Sequence, residues 1–403
     1  MIVAYLTGSY PRVSHTFIAR EIAGLRALGI EVRPCSIRRT EAAHVAGAEQ
    51  LAAQAETFHI LEAVRSRAGL RALGSALRRP GRLARALGMA WRTAPKGVRG
   101  RAYNLIYLVE AVVLADHLRR IGAAHLHDHI AMASCTVAML AAELADIPWS
   151  FTLHGPDVFY APLHWRLDEK IRRADFVSCI SHFARSQAML FSDPAEWDKL
   201  RIVHCGVDPA RYAAPQVPGA DRLLFVGRLA AVKGVPVLLE AFARLRVARP
   251  GATLTVVGDG PERAGLEAAV ARAGIAGAVT FRGNLSQDGV AEALRYADVL
   301  CVPSFAEGVP VVLMEAMAAG VPVVASAVGG IGELVRDGVT GRLVPPGDTT
   351  ALVEAINAVL DGDFGGAGRA VVAEHFDSDR EAARLAVLFA AAAGNASWPE
   401  GPR

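Results

Sequence analysis

Aromatic residues are scarce, 6% of the 403 residues, and there are only five cysteines, Cys35, Cys135, Cys179, Cys205 and Cys301. The five are odd in number, scattered and never spaced as Cys-x-x-Cys. That pattern excludes a disulfide framework or zinc ribbon and predicts reduced, buried thiols. Long apolar runs are missing too. The longest uncharged stretch of the C-terminal third, residues 316–332, is interrupted by Pro322 and several glycines, so a buried α/β core is expected there in place of a bilayer helix. Residues 1–6 are followed at once by Thr7-Gly8 and carry no leading positive charge, so they are not expected to be a signal peptide. With 52% hydrophobic and 21% charged residues, disorder, collagen and coiled coil are excluded. The length suits about two or three domains.

Acidic residues are absent between Glu62 and Glu110, where eleven cations run from Arg65 to Arg101. The imbalance extends further: residues 1–215 carry a charge of +8 and residues 216–390 one of −5, within a net +3. On a helical projection Arg67, Arg71 and Arg78 share one side, and Leu70, Leu73 and Leu77 another. Beyond Pro80, Arg82, Arg85 and Arg92 cluster away from Leu83, Leu87 and Trp91. Two short basic amphipathic helices are therefore predicted. They form either a solvated face whose acids come from elsewhere in the fold, or a face that docks residues 65–101 on an anionic membrane surface, where each Lys or Arg is worth ~1 kcal/mol. No nucleic-acid motif accompanies the charge, so nucleic acid is not expected as a partner.

Short β-branched runs alternate with helix-period segments along the whole chain, the pattern of parallel βαβ units. In the first half, strands are predicted at 2–6, 31–36, 123–127, 149–153, 176–180 and 202–205, with helices at 17–28, near 104–120 and at 131–145. The proline-bearing stretch 206–220 reads as a linker. Strands at 223–226, 253–257, 278–282, 299–302, 321–325 and 341–344 then repeat the rhythm. A late helix over 378–393 has space to pack back on the first domain. The formal glycosylation sequon Asn395-Ala396-Ser397 falls in a frayed tail and carries no meaning in a cytoplasmic protein. The expected fold class is α/β: two doubly wound Rossmann-like domains, 1–210 and 211–375, facing a cleft, a crossing-back helix within 376–394 and a flexible tail 395–403. Ligand loops are expected at the strand C-termini.

The most informative stretch is 302–326. A strand ends in Pro303-Ser304, a loop carries Glu307-Gly308, and a helix is predicted to begin near Pro310, a favoured residue for a first helical turn. The free amides of that helix make an anion site, and Gly308 lets a ligand approach the backbone. Glu315 lies inside the helix. Eight helical residues span ~12 Å, too far for the paired carboxylates of a glycosidase. The two glutamates are therefore expected to hold separate parts of an extended ligand, and a nucleotide sugar has that length. Its diphosphate needs cations: Arg228 follows one strand and Lys233 precedes the next helix, both at the ligand-binding edge of an α/β fold.

The segments GRLAAVKG, VVGDGPE, PSFAEGVPVVLMEAMAAGVPVVAS and DGVTGRLVPPGD, in order from about residue 201 to 360, resemble the retaining glycosyltransferase family 4, which has the two-domain GT-B fold. LTGSYPRVSHTFIAREI, HLHDHIA and FTLHGPDVF resemble a branch that includes colanic-acid and other exopolysaccharide transferases. The resemblance implies that Arg228 and Lys233 hold the donor diphosphate, Glu307 the donor sugar and Glu315 the ribose. Gly308, Val309 and Pro310 would line the sugar–phosphate turn, and His154 would contact the sugar near the reacting centre. Two departures stand out: Gly8 is single before Ser9 in the first loop, where many members have two adjacent glycines for a phosphate contact, and His15 occupies a position that is commonly Glu in the exopolysaccharide branch.

Other features weigh less. Gly258-Asp259-Gly260 opens a helix after a strand without the dinucleotide spacing and reads as a turn bordering the nucleotide pocket. Arg282 and Gly283 end the next strand, where they would lie beside the base. His125, His127 and His129 alternate as on a strand and could suggest zinc, but no further ligand cluster supports it, so structural or acceptor-facing histidines are expected and no metal. Ser181-His182 lacks a nucleophile elbow and reads as a helix N-terminus. The expected activity is retaining, metal-independent transfer of a hexosyl-type sugar from a nucleotide diphosphate sugar to a saccharide or lipid-linked acceptor in cell-surface or exopolysaccharide biosynthesis. No cofactor is expected, and the location would be cytoplasmic, peripheral on the inner face of the plasma membrane. A GT-B sugar-nucleotide epimerase and a non-catalytic, membrane-associated carbohydrate-binding protein are the alternatives.

Overall fold

Parallel strands covered by helices on both faces must be apolar on both, so they read as short continuous runs of Val, Ile and Leu. Among the described residues, 1–394 apart from 13, 14, 46, 218 and 363, thirteen strands form two sheets in the computed structural model, most of them runs of this kind. The 395–403 tail with its sequon, and Pro218 of the linker, lie outside the described residues. The first sheet comprises β1 (Ile2–Ser9), β2 (Glu31–Arg38), β3 (Phe58–His59), β4 (His125–His129), β5 (Trp149–Leu153), β6 (Phe176–Cys179) and β7 (Leu200–Ile202). Its order is β3-β2-β1-β4-β5-β6-β7. The second comprises β8 (Arg222–Val226), β9 (Thr253–Val257), β10 (Val279–Gly283), β11 (Val299–Val302), β12 (Val323–Ser326) and β13 (Gly341–Val344), in the order β10-β9-β8-β11-β12-β13. Strand pairs in both sheets are parallel. In each sheet the order reverses beside the first strand, at β1/β4 and at β8/β11. Loops leaving the C-terminal ends of those neighbours diverge, which opens the crevice where doubly wound folds take ligands.

Met1–His204 and the chain from Arg380 on form one unit, and Cys205–Asp379 the other. The second unit begins at Cys205, not at 211, because Val207 N–H donates to Phe376 O and Ser378 N–H to Val207 O, each at 2.9 Å. The first unit's core joins Val3, Tyr5, Ile18 and Phe176 to Leu385 and Phe389 of the helix Ser378–Ala392. The second packs Phe225, Leu254 and Val299 against Phe242 and Ile356.

Three departures from the sequence expectations bear on the site. β3 was not foreseen, since two residues carry no period. β4 runs two residues later than predicted, because Ala123 N–H still closes on Leu118 O (3.0 Å) at the end of the preceding helix. β7 ends at Ile202, and Val203 and Cys205 beyond it are buried as the chain leaves the first unit. The five cysteines are free and buried, and burial pushes the Cys35 and Cys301 thiols up to about 12.

The two basic helices form over Arg67–Leu77 and Pro80–Arg92. Their inward face is made of small residues, Ala72, Ala76, Ala86 and Ala90 with Met89. The leucine side turns outward: Leu70 is 75% exposed and Leu77 60%. Acids from elsewhere do reach part of the basic face, with Arg71 on Asp116 (3.2 Å), Arg85 on Glu143 (2.7 Å) and Arg82 on Asp146. The other cations between Arg65 and Arg101 make no ion pair among the described residues. No helix among the described residues is long and apolar enough to cross a membrane.

Candidate active site

At the β8/β11 switch point, β8 delivers Gly227-Arg228 and a short turn, Ala231–Lys233, before the helix Val235–Ala248. β11 delivers Pro303, Ser304 and Glu307. The two loops are laced together. Phe305 N–H donates to Val232 O at 2.8 Å, and Gly234 (φ +63°) lies so close to β11's exit that a Cβ there would sit 2.1 Å from Pro303 O. Only glycine meets both conditions without strain. That approach places Lys233 Nζ 2.5 Å from Glu307 Oε1, which also accepts from Ser304 Oγ at 2.7 Å. Glu307 is 8% exposed, so its charge is held by these two donors rather than by water. An ammonium has three donors and Glu307 takes one, leaving the others for a second anion.

Arg228, in the same loop, is exposed and makes no ion pair among the described residues. Glu315 is buried in the helix Val311–Ala319. Pro310 flanks that helix in an extended conformation (φ −66°, ψ 122°) and does not occupy its first turn. The stretch from Glu307 to Glu315 is therefore part loop and part helix, not the eight helical residues expected. Val309 and Gly308 are buried in the loop, where Gly308 O accepts from Gly330 N–H at 2.8 Å.

Gly258 follows β9 with its N–H donated to Gly283 O at 2.8 Å, and a Cβ on it would lie 1.9 Å from Gly227 O. The exits of β8, β9 and β10 are thus stacked backbone on backbone. Arg282 is not drawn into this group. Its residue lines a separate cavity with Leu224, Thr255 and Tyr296, on the sheet face beneath the helix Gln287–Arg295. Alternation explains this: Gly283 stands at the strand end, whereas Arg282 points out of the sheet plane.

In the first unit Gly8 lies within β1, not in a loop after it, and a Cβ there would meet nothing within 4 Å. His154, half-buried just beyond β5, shares a contact of 2.7 Å between its Nε2 and His129 Nδ1. The Nε2 of His129 lies 3.2 Å from Glu21 Oε1, within ion-pair distance though not aligned as a hydrogen bond. Tyr5 OH donates to the same carboxylate oxygen at 2.6 Å. Burial, then the neighbouring His129 and His15, holds the His154 ring well below the usual imidazole range, so it acts as a neutral hydrogen-bonding group near pH 7. One ring donates and the other accepts across the His154–His129 contact, according to the tautomers of the two rings.

His125, His127 and His129 share one face of β4. His125 Nε2 meets Ser150 Oγ at 2.7 Å, while His127 meets Ser150 and Thr152 at 2.8 and 2.9 Å. Glu21, His127 and His129 bring ligand-type atoms within 4.8 Å of one another, the one such group found among the described residues. Both ring nitrogens of His127 and Nδ1 of His129 are already engaged, so the set does not fit a metal as it stands. Sequence reasoning missed Ser304, Glu21 and Tyr5, whose residue types are common and whose partners lie far along the chain. Ser181 behaves as expected, its Oγ capping the helix His182–Leu190 through Ala184 N–H at 3.0 Å.

Anabaena HepE, in complex with UDP, superposes with a TM-score of 0.70 at 18% identity, over 97% of this chain and 100% of that one. The sucrose-phosphate synthase of Thermosynechococcus elongatus gives 0.74 at 21%, over 96% and 98%. The two likenesses give the fold, the GT-B fold of two Rossmann-like domains. Residues 16–211 match Glycosyltransferase Family 4 and residues 213–370 match Glycosyl transferases group 1. A Mycobacterium tuberculosis glycogen synthase is 30% identical over 295 residues, 68% of this chain and 70% of that one. A D-inositol 3-phosphate glycosyltransferase of Streptomyces scabiei is 37% identical over 229 residues, 49% and 50% of the two chains. The chain belongs to this family of glycosyltransferases.

Proposed function

We propose that this glycosyltransferase moves a hexosyl-type sugar from a nucleoside diphosphate sugar to a saccharide or lipid-linked acceptor, with retention at the anomeric carbon and without a divalent ion. The observation that carries the reading is the Lys233–Glu307–Ser304 cluster at the β8/β11 switch point, with an exposed Arg228 in the same loop that makes no ion pair among the described residues. In this proposal Arg228 and Lys233 take the diphosphate oxygens and stabilise the charge of the departing nucleoside diphosphate, assisted by the amides opening the helix Val311–Ala319. Glu307, fixed by two donors, orients a sugar hydroxyl, and Glu315 holds the ribose. Gly258 and Gly283 border the nucleotide, and neutral His154 offers a hydrogen bond to the sugar. Glu21, the carboxylate beside His129, accepts from Tyr5 and lies within ion-pair distance of the His129 ring. That favours same-face attack, with the leaving phosphate accepting the acceptor's proton, over a covalent glycosyl–enzyme.

HepE has been solved with UDP-glucose as well as with UDP, which recommends uridine donors for the first trial. The names of the relatives, a glycogen synthase and an inositol phosphate glycosyltransferase, support a saccharide or polyol acceptor. The outward leucines and unpaired cations of residues 65–101 support docking on the anionic inner face of a plasma membrane, in keeping with exopolysaccharide synthesis. The test is release of UDP from UDP-glucose and other donors with and without acceptor, in the presence of a chelator. Release only with acceptor, and NMR of the product showing the donor's anomeric configuration, is expected. Isomerised donor without acceptor, or inversion, would overturn the proposal.

A further inference from the structure

A cavity of about 430 Å³ within the first unit belongs to neither switch point. It lies between the start of the helix Val98–Ile121, the helix Ala133–Ala145 and the turn at His164-Trp165-Arg166. Its lining includes Lys96, Arg99, Arg166 and Lys170 and contains no carboxylate. Two of these cations are already committed. Arg166 grips Asp168 at 2.8 and 3.0 Å, and Lys170, 1% exposed, donates to Ala131 O and Met132 O at 3.0 and 2.6 Å. Lys96 and Arg99 make no ion pair among the described residues and stand exposed at the mouth. The chain beside the mouth is apolar and outward-facing: Trp91 is 52% exposed, Val98 85% and Leu163 69%. Arg101 stacks over the Trp91 ring at 4.5 Å, a cation–π contact at the same rim.

A cationic mouth without carboxylates suits an anion, and the apolar rim suits an acyl chain rather than a free sugar phosphate. We infer that this cavity seats the phosphate head of an anionic membrane lipid, with Lys96 and Arg99 as its ligands and the apolar rim meeting the acyl region. The inference stands on the first unit alone, so it can fail or hold without the donor assignment.

The test uses the full chain without nucleotide. Binding of dihexanoyl phosphatidylglycerol, kept below its micelle concentration, is measured beside glycerol 1-phosphate for wild type, Lys96→Ala/Arg99→Ala and Arg67→Ala/Arg78→Ala. The control pair removes the same charge from exposed positions outside the cavity. The cavity pair should weaken lipid binding by about tenfold or more, the control pair by less than about threefold, and glycerol 1-phosphate should bind weakly. Equal losses in both pairs, binding to phosphatidylglycerol vesicles without binding of the soluble lipid, or glycerol 1-phosphate binding as tightly as the lipid would each overturn it. UDP titration of the cavity pair should remain normal, which separates this result from the donor reading.

Discussion

Arg228 and Lys233 leave the same loop in different electrostatic circumstances. Arg228 is exposed and makes no ion pair among the described residues, so Arg228→Ala should leave the melting temperature unchanged while kcat falls on the order of 10²–10³, as for loss of one oxyanion donor. Lys233→Ala should cost a similar factor in turnover and also lower the melting temperature, because Glu307, 8% exposed, would keep only Ser304. Near-normal rates in either variant would remove the diphosphate from this loop. His125 makes a different kind of prediction. Burial lowers its ring to about 3, against about 6.5 in an unfolded chain. Above pH 6.5 it is neutral in both states. Between pH 6.5 and 3 only the unfolded chain takes the proton, so stability falls with falling pH, by about 1.4 kcal/mol per pH unit from this ring. Urea unfolding followed by tryptophan fluorescence between pH 7 and 5 should show the slope, and His125→Asn should lessen it by about that amount, the remainder coming from other rings that burial lowers, His127 and His154 among them.

At the scale of elements, the decisive contacts lie between loops rather than within them. Gly234→Ala would force a Cβ against Pro303 O in a left-handed conformation, at a cost of about 1–3 kcal/mol. The expected outcome is a folded protein with a lowered melting temperature and a raised KM for donor. An unchanged KM would show that the two loops can part without consequence. The strands feeding these loops were legible because burial on both faces leaves an apolar run, as in Val299–Val302 and Val323–Ser326. The Lys233–Glu307 pair was not. Its members are 74 residues apart, and nothing local to either names the other. The basic helices were legible as helices from their period, but not which face packs, since that depends on a partner that here admits alanine and turns leucine out. β4 was legible as a strand, but its depth was not. His125-Leu126-His127-Asp128-His129 is polar by composition, yet every residue in it is buried.

The whole molecule has two cores, and one of them is discontinuous in sequence. Phe389, fully buried between Tyr5, His125, His127 and Phe176, belongs to the first unit although the chain has passed through the second to reach it. Phe389→Ala should destabilise the first unit by about 3–5 kcal/mol. The described tryptophans Trp91, Trp149, Trp165 and Trp197 lie in that unit, so their fluorescence reports on it alone. A loss below about 1 kcal/mol would mean that the returning helix is peripheral to the core.

That out-and-back threading has a consequence for breakage. One scission after Ala213, in an exposed stretch, would yield two polypeptides, neither owning a complete unit. The longer N-terminal piece would lack its closing helix, and the other piece would carry that helix on its end like a key. Such halves should comigrate in native gels and part only in denaturant, so a gene divided at this codon should still give an assembled protein.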